Sequence, residues 1–147
     1  MKSLRKLHKI YLVLAVVTLF AIAGVFVYRK FTVLEGTYTQ YNVSKGYKAS
    51  AKLVITEDDT ASCVAKTEYS DSKKNGYVRY TNGIVDRDKK QITFKGYTSK
   101  NWYSDDTGVL KYTNKVTFYY DKTGLERLSI KVKDGDNTSD IGEFVKE

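Results

Sequence analysis

The residues that could do chemistry in this chain are few. The only histidine, His8, precedes a long apolar segment, so everything beyond that segment lacks the imidazole that a Ser-His or Cys-His nucleophile or a zinc site requires. Carboxylates are the second route. Asp58-Asp59, Asp105-Asp106 and the set Asp134, Asp136 and Asp140 are the candidates for acid/base pairs or calcium ligation. The last set has the spacing of a calcium loop, yet Ser139 stands where the loop needs glycine and Val145 where it needs a bidentate glutamate. Aspartates that solvate tight turns account for all three groups, and we expect neither a metal nor a cofactor. Cys63 is the only thiol, which rules out an intrachain disulfide. It shares its parity with Ala61 and Ala65, so a buried cysteine acting as a small hydrophobe is expected, with a reactive or intermolecularly paired thiol as the alternative.

Recognition is better supplied than catalysis. Eleven of the thirteen tyrosines lie beyond residue 30, together with the single tryptophan. Asn101-Trp102-Tyr103 sits in the segment 99–108, between Lys100 and Asp105-Asp106, and reads as a loop. Trp102 and Tyr103 on a loop could anchor a sugar ring, a peptide or a partner protein. The competing reading folds Trp102 back to plug one end of the domain.

The formal charge of +8 is unevenly placed. Residues 1–30 hold six basic and no acidic residues, leaving nineteen basic against seventeen acidic in the rest. Those lysines are scattered among aspartates and form no stripe, so nucleic acid is not an expected partner. The basic N-terminal cluster instead matches the flank of a membrane segment. Ile10 to Tyr28 is uncharged over nineteen positions, about 28 Å of helix against a hydrocarbon core of about 30 Å. Lys2, Arg5, Lys6 and Lys9 precede it and Arg29 and Lys30 follow, which favours a cytoplasmic N-terminus. The expected organisation is a basic segment 1–9, a transmembrane signal anchor 10–28, a short linker 29–35 and an exported domain 36–147. The alternative is secretion after cleavage following Ala23, because Ala21-Ile22-Ala23 fits the small-x-small pattern; Gly24 to Tyr28, which prolong the apolar run, favour retention. Val25 occupies the place of a lipobox cysteine, so thioether lipidation is excluded.

What must position any site is a set of strands. The segments 36–42, 48–56, 61–69, 77–85, 90–98, 109–120, 126–133 and 141–146 alternate with period two. Ala49, Ala51, Leu53 and Ile55 mark one inward face, Val116, Phe118 and Tyr120 a second, and Leu128, Ile130 and Val132 a third. Clusters of Asp, Asn and Gly at 57–59, 86–89, 121–124 and 134–137 supply the turns, and no proline interrupts the ladders. Eight strands in hairpin succession imply an all-β, antiparallel, up-and-down barrel, since closure removes exposed edges; a β-sandwich is the alternative.

Three motifs carry a resemblance: Leu34-Glu35-Gly36-Thr37-Tyr38 opening the first strand, Gly83-Ile84-Val85-Asp86 followed by Gln91-Ile92-Thr93-Phe94, and the terminal Gly142-Glu143-Phe144-Val145-Lys146. With them the chain resembles the lipocalin-like small barrels of bacterial surface proteins and lipoproteins, although Tyr38 stands where that opening often carries tryptophan. The resemblance implies a fold and leaves function open, because such barrels bind, inhibit or scaffold. The expected function is that of a noncatalytic, membrane-tethered binding or accessory module acting on an envelope protein or glycan. The alternative is a carrier or sensor of a small apolar ligand held in the barrel interior.

Overall fold

Every second residue of a strand faces the same way, so an antiparallel meander with one apolar face must roll up or pack against a second layer to bury it. Here it rolls up. The computed structural model describes residues 2–70, 75–100 and 108–147, and within the helix it describes side chains at 11–25, 27 and 28. The chain divides into two units, 1–33 and 34–147.

The first unit is one helix, α1 (Lys2–Thr32), longer at both ends than the expected 10–28. Its described side chains are all exposed, with large apolar residues at consecutive positions around the whole circumference, and Thr18 satisfies its hydroxyl by donating to the Leu14 carbonyl at 2.8 Å. Among the described residues no helix is long and apolar enough to cross a membrane.

The second unit contains β1 (Gly36–Ser44), β2 (Tyr47–Ile55), β3 (Thr60–Tyr69), β4 (Gly76–Asp86), β5 (Gln91–Phe94), β6 (Tyr97–Lys100), β7 (Leu110–Tyr112), β8 (Val116–Gly124), β9 (Arg127–Asp134) and β10 (Asn137–Lys146). Neighbouring strands run in the order β3-β2-β1-β10-β9-β8-β5-β4, and β4 pairs back onto β3, which closes an eight-stranded antiparallel barrel. β5 and β6 meet β4 in a single register, Ile84 opposite Thr93 and Tyr80 opposite Tyr97, so they are two halves of one interrupted strand. β7 and β8 likewise continue one another, with a one-residue slip between the pairs Tyr97–Tyr112 and Phe94–Val116. The two long segments expected at 90–98 and 109–120 are therefore each broken once, and the last strand begins at Asn137, earlier than expected.

Closure is complete only in one half. There the interior is filled by Tyr38, Leu53, Ile55, Ile92, Phe94, Phe118, Leu128, Ile130 and Phe144, each at most 2 % exposed. Tyr38 donates to the Leu34 carbonyl at 2.7 Å. The Lys146 ammonium lies 5.7 Å over the Tyr38 ring and donates to the Glu35 carbonyl at 2.6 Å, tying the last strand to the first. Gly36, at φ +142°, leaves the space that this lysine crosses.

In the other half the seam opens. β1 pairs with β2 along its whole length but with β10 only through Tyr38 and Thr39. A bulge between Asp140 and Gly142 turns β10 away, and the Gln40 side-chain amide donates to the Ile141 carbonyl in place of a ladder bond. On the far side β7 pairs with β6 alone. Among the described residues, β1, β2, β3, β4, β6 and β7 thus extend above the packed core as a curved sheet with two free edges.

Candidate functional site

The inner face of that curved sheet carries an uneven set of side chains. On β2 and β3 they are small, with Ala51 opposite Ala65 and Ala49 opposite Thr67. On β4, β6 and β7 they are aromatic, with Tyr80 opposite Tyr97 and Tyr97 opposite Tyr112. The rings form a continuous ladder. Phe94 and Phe118 meet edge to face at 5.0 Å on the floor, Tyr80 packs on both at 5.3 and 5.1 Å, Tyr97 follows at 5.2 Å, and Tyr112 stacks on Tyr97 at 4.6 Å. Tyr47 and Tyr69, 5.7 Å apart, stand at the rim on the alanine side. Solvent access increases along the ladder from Phe94 at 0 % to Tyr112 at 37 %. An inward-facing surface that is half wet and rich in tyrosine suits recognition, because each ring offers a large rigid apolar area with a polar tip.

Burial dominates the electrostatics. It pushes the Tyr80 phenol up to about 12, with Tyr97 and Asp134 adding to the effect, and it also raises Tyr97. Both stay neutral hydrogen-bonding groups near neutral pH. Cys63, opposite both Leu53 and Tyr80, lies on the floor as expected of a small hydrophobe, and burial pushes its thiol up to about 12.

Asn101, Trp102 and Tyr103 lie outside the described residues, as do Asp105 and Asp106. The strands that precede and follow them in the chain, β6 and β7, carry the stacked pair Tyr97 and Tyr112. In the remaining acidic clusters, Asp59 and Asp140 have local partners. Arg87 donates from Nε to Asp59 at 2.6 Å and from Nη2 to Glu35 at 3.4 Å at the closed end. The hydrogen bond from its own backbone N–H, followed by Arg87, holds the Glu35 carboxyl below its ordinary value. Asp140 accepts the Gly142 N–H at 2.8 Å within the bulge. Among the described residues no three His, Cys, Asp or Glu side chains converge as a metal-holding group.

Tyr80, Tyr97 and Tyr112 are the residues that counting along the chain does not bring together. Continuing the period-two pattern from Val85 would put Arg79 and Tyr77 inside; the irregularity at Asn82, φ +55°, inverts the face so that Tyr80 points inward. The break at Lys95 and Gly96 does the same for Tyr97. The one available sign was Asn82-Gly83, a pair suited to a bulge inside an otherwise regular strand. No protein-family model, curated protein or solved structure matches this chain.

Proposed function

We propose that this protein is a membrane-tethered, noncatalytic binding module: Ile10 to Tyr28 spans the bilayer with the N-terminus cytoplasmic, and the barrel grips an envelope partner at its open end. The observation that carries the reading is the array of inward, half-exposed tyrosines where the seam is parted. A barrel that served only as a scaffold would gain stability from filling that space with aliphatic side chains. For the anchor, α1 runs 31 residues, about 46 Å of helix, and nineteen consecutive positions within it are uncharged.

A small apolar ligand is the second reading, favoured by Ala49, Ala51 and Ala65. The packed core confines such a ligand to the open half.

Two measurements on intact cells test the proposal. Protease added outside should degrade the barrel, and a photo-cross-linking residue placed at position 112 should capture a partner whose yield falls several-fold in Tyr97→Ala. A barrel protected from external protease would refute the placement, and a yield indifferent to Tyr97→Ala would refute the site. Fluorescence of N-phenyl-1-naphthylamine that is enhanced by the protein and lost in Ala51→Leu would favour the second reading.

A further inference from the structure

The barrel's register does to the lysines what their order in the chain does not. On the outer face, Thr39, Lys52, Val64, Arg79, Thr98 and Lys111 lie side by side in one row across β1, β2, β3, β4, β6 and β7. The adjacent row reads Tyr41, Ser50, Lys66, Tyr77 and Lys100. At about 4.8 Å between strands, cations recur roughly every 10 Å along each row, with Val64 and Thr98 between them in the first and Tyr77 in the second. Lys66, Arg79, Lys100 and Lys111 have no carboxylate partner among the described residues. Among the described residues, Glu147, which accepts from Lys52 at 3.2 Å, and Glu68, opposite Lys48, share the face. The rows are not flat. A groove of about 340 Å³ follows them from β1 to β4, lined by Tyr41, Ser50, Lys52, Lys66, Arg79 and the Lys52-bound Glu147, and the Arg79 guanidinium sits 5.5 Å over the Tyr77 ring.

We propose that this outer groove binds a linear anionic polysaccharide, a site separate from the tyrosine-lined opening on the inner face. Charge complementarity supplies the first argument: regularly spaced cations, all but Lys52 without a carboxylate partner among the described residues, fit a chain whose repeat units carry carboxylates or phosphates. The second is the interleaving. The hydroxyls of Thr39, Ser50 and Thr98 stand next to cations in the rows and match sugar hydroxyls, while Tyr41 and Tyr77 offer faces to sugar rings. Each exposed ion pair contributes little by itself, so binding depends on several contacts along one polymer and is salt-sensitive. The choice of a sugar polymer rests on the extracytoplasmic placement proposed above; the groove's charge and shape do not.

The test uses the full chain in neutral detergent, passed over immobilised polygalacturonate with uncharged dextran as the comparison. Retention on polygalacturonate but not on dextran is expected, falling at least about tenfold between about 50 and 200 mM salt. Arg79→Gln with Lys111→Gln, both on the exposed outer face, should lower retention about tenfold with an unchanged circular dichroism spectrum. Lys2→Gln with Lys6→Gln, in the N-terminal basic segment, should leave it unchanged. The proposal is overturned by equal retention on dextran, by an outer-face double variant that binds as the parent does, or by retention that disappears with the N-terminal pair. Binding to a single-stranded oligothymidylate that is tighter than to polygalacturonate and is lost in the outer-face double variant would also overturn it by assigning the groove to another partner class. Failure here leaves the cell-surface result untouched, because retention on a column does not depend on the protein's address.

Discussion

Gly83 faces inward on β4 beside Phe94, and Gly83→Ala tests whether the core is packed as tightly as the structure implies. A Cβ at this position would fall inside van der Waals contact of the Phe94 Cε1 atom, 2.9 Å from Cδ1 and 3.0 Å from the Ala61 carbonyl oxygen. Ordinary contacts are about 3.5 to 4.0 Å. The ring cannot swing clear, because Phe94 is fully buried between Tyr80 at 5.3 Å and Phe118 at 5.0 Å, and the Ala61 oxygen belongs to the β3 backbone. Overpacking of this kind costs about 1 to 3 kcal/mol, and with both a ring and a backbone atom opposing it the upper part of that range is expected. Reduced freedom of the unfolded chain returns only about 0.4 to 1 kcal/mol, so the net effect is destabilising. In thermal unfolding followed by near-ultraviolet circular dichroism, Tm should drop by roughly 5 to 10 °C. The second arm is Phe94→Leu, which removes the obstructing ring edge. In that background Gly83→Ala should cost less than about 1 kcal/mol, a coupling of about 1 kcal/mol or more between the two positions. Costs that add within about 0.5 kcal/mol would mean that the ring is not what excludes a side chain at position 83, and the packing argument would fail.

Two further outcomes follow from the buried and paired groups. The Cys63 thiol, pushed up to about 12 by burial, should resist an aromatic disulfide reagent at pH 8 in the folded protein and react fully once unfolded in guanidinium; rapid reaction in the native state would show that solvent reaches the barrel floor. Glu35 is held below its ordinary 4.5 by its own backbone N–H and by Arg87, so its contribution to stability is complete above pH 4.5 and is lost as pH falls through the lower folded-state value. Arg87→Gln should therefore make unfolding midpoints fall less steeply with acidification below pH 4.5, and an unchanged slope would count against the Arg87 share of the effect.

Much of the barrel was legible without coordinates because period-two burial is a local property. Leu53 with Ile55, Val116 with Phe118 and Leu128 with Ile130 each announce an inward face, and all six are buried together. The turns were equally plain where Asp, Asn and Gly cluster; the β9–β10 turn, for example, places Gly135 at φ +60°. The site was far less legible. Tyr80 and Tyr97 reach the inner face only because β4 and the β5–β6 strand both break their alternation at the same level. A reader of the chain who carries parity through Asn82 or Gly96 assigns every later residue of that strand to the wrong side.

The amino-acid sequence alone determined the all-β class, the hairpin turns where Asp, Asn and Gly cluster and the concentration of excess positive charge before the domain, since each depends on residue type at short spacing. Only the tertiary structure decided how far the barrel closes. The parted seam follows from β10 turning away after two pairs with β1, an event between strands about 100 residues apart. It also decided what the lysines are. Lys52, Arg79 and Lys111 are unrelated along the chain and neighbours across it, because cross-strand register places residues from distant segments side by side, and nothing in a linear count of charges carries that information.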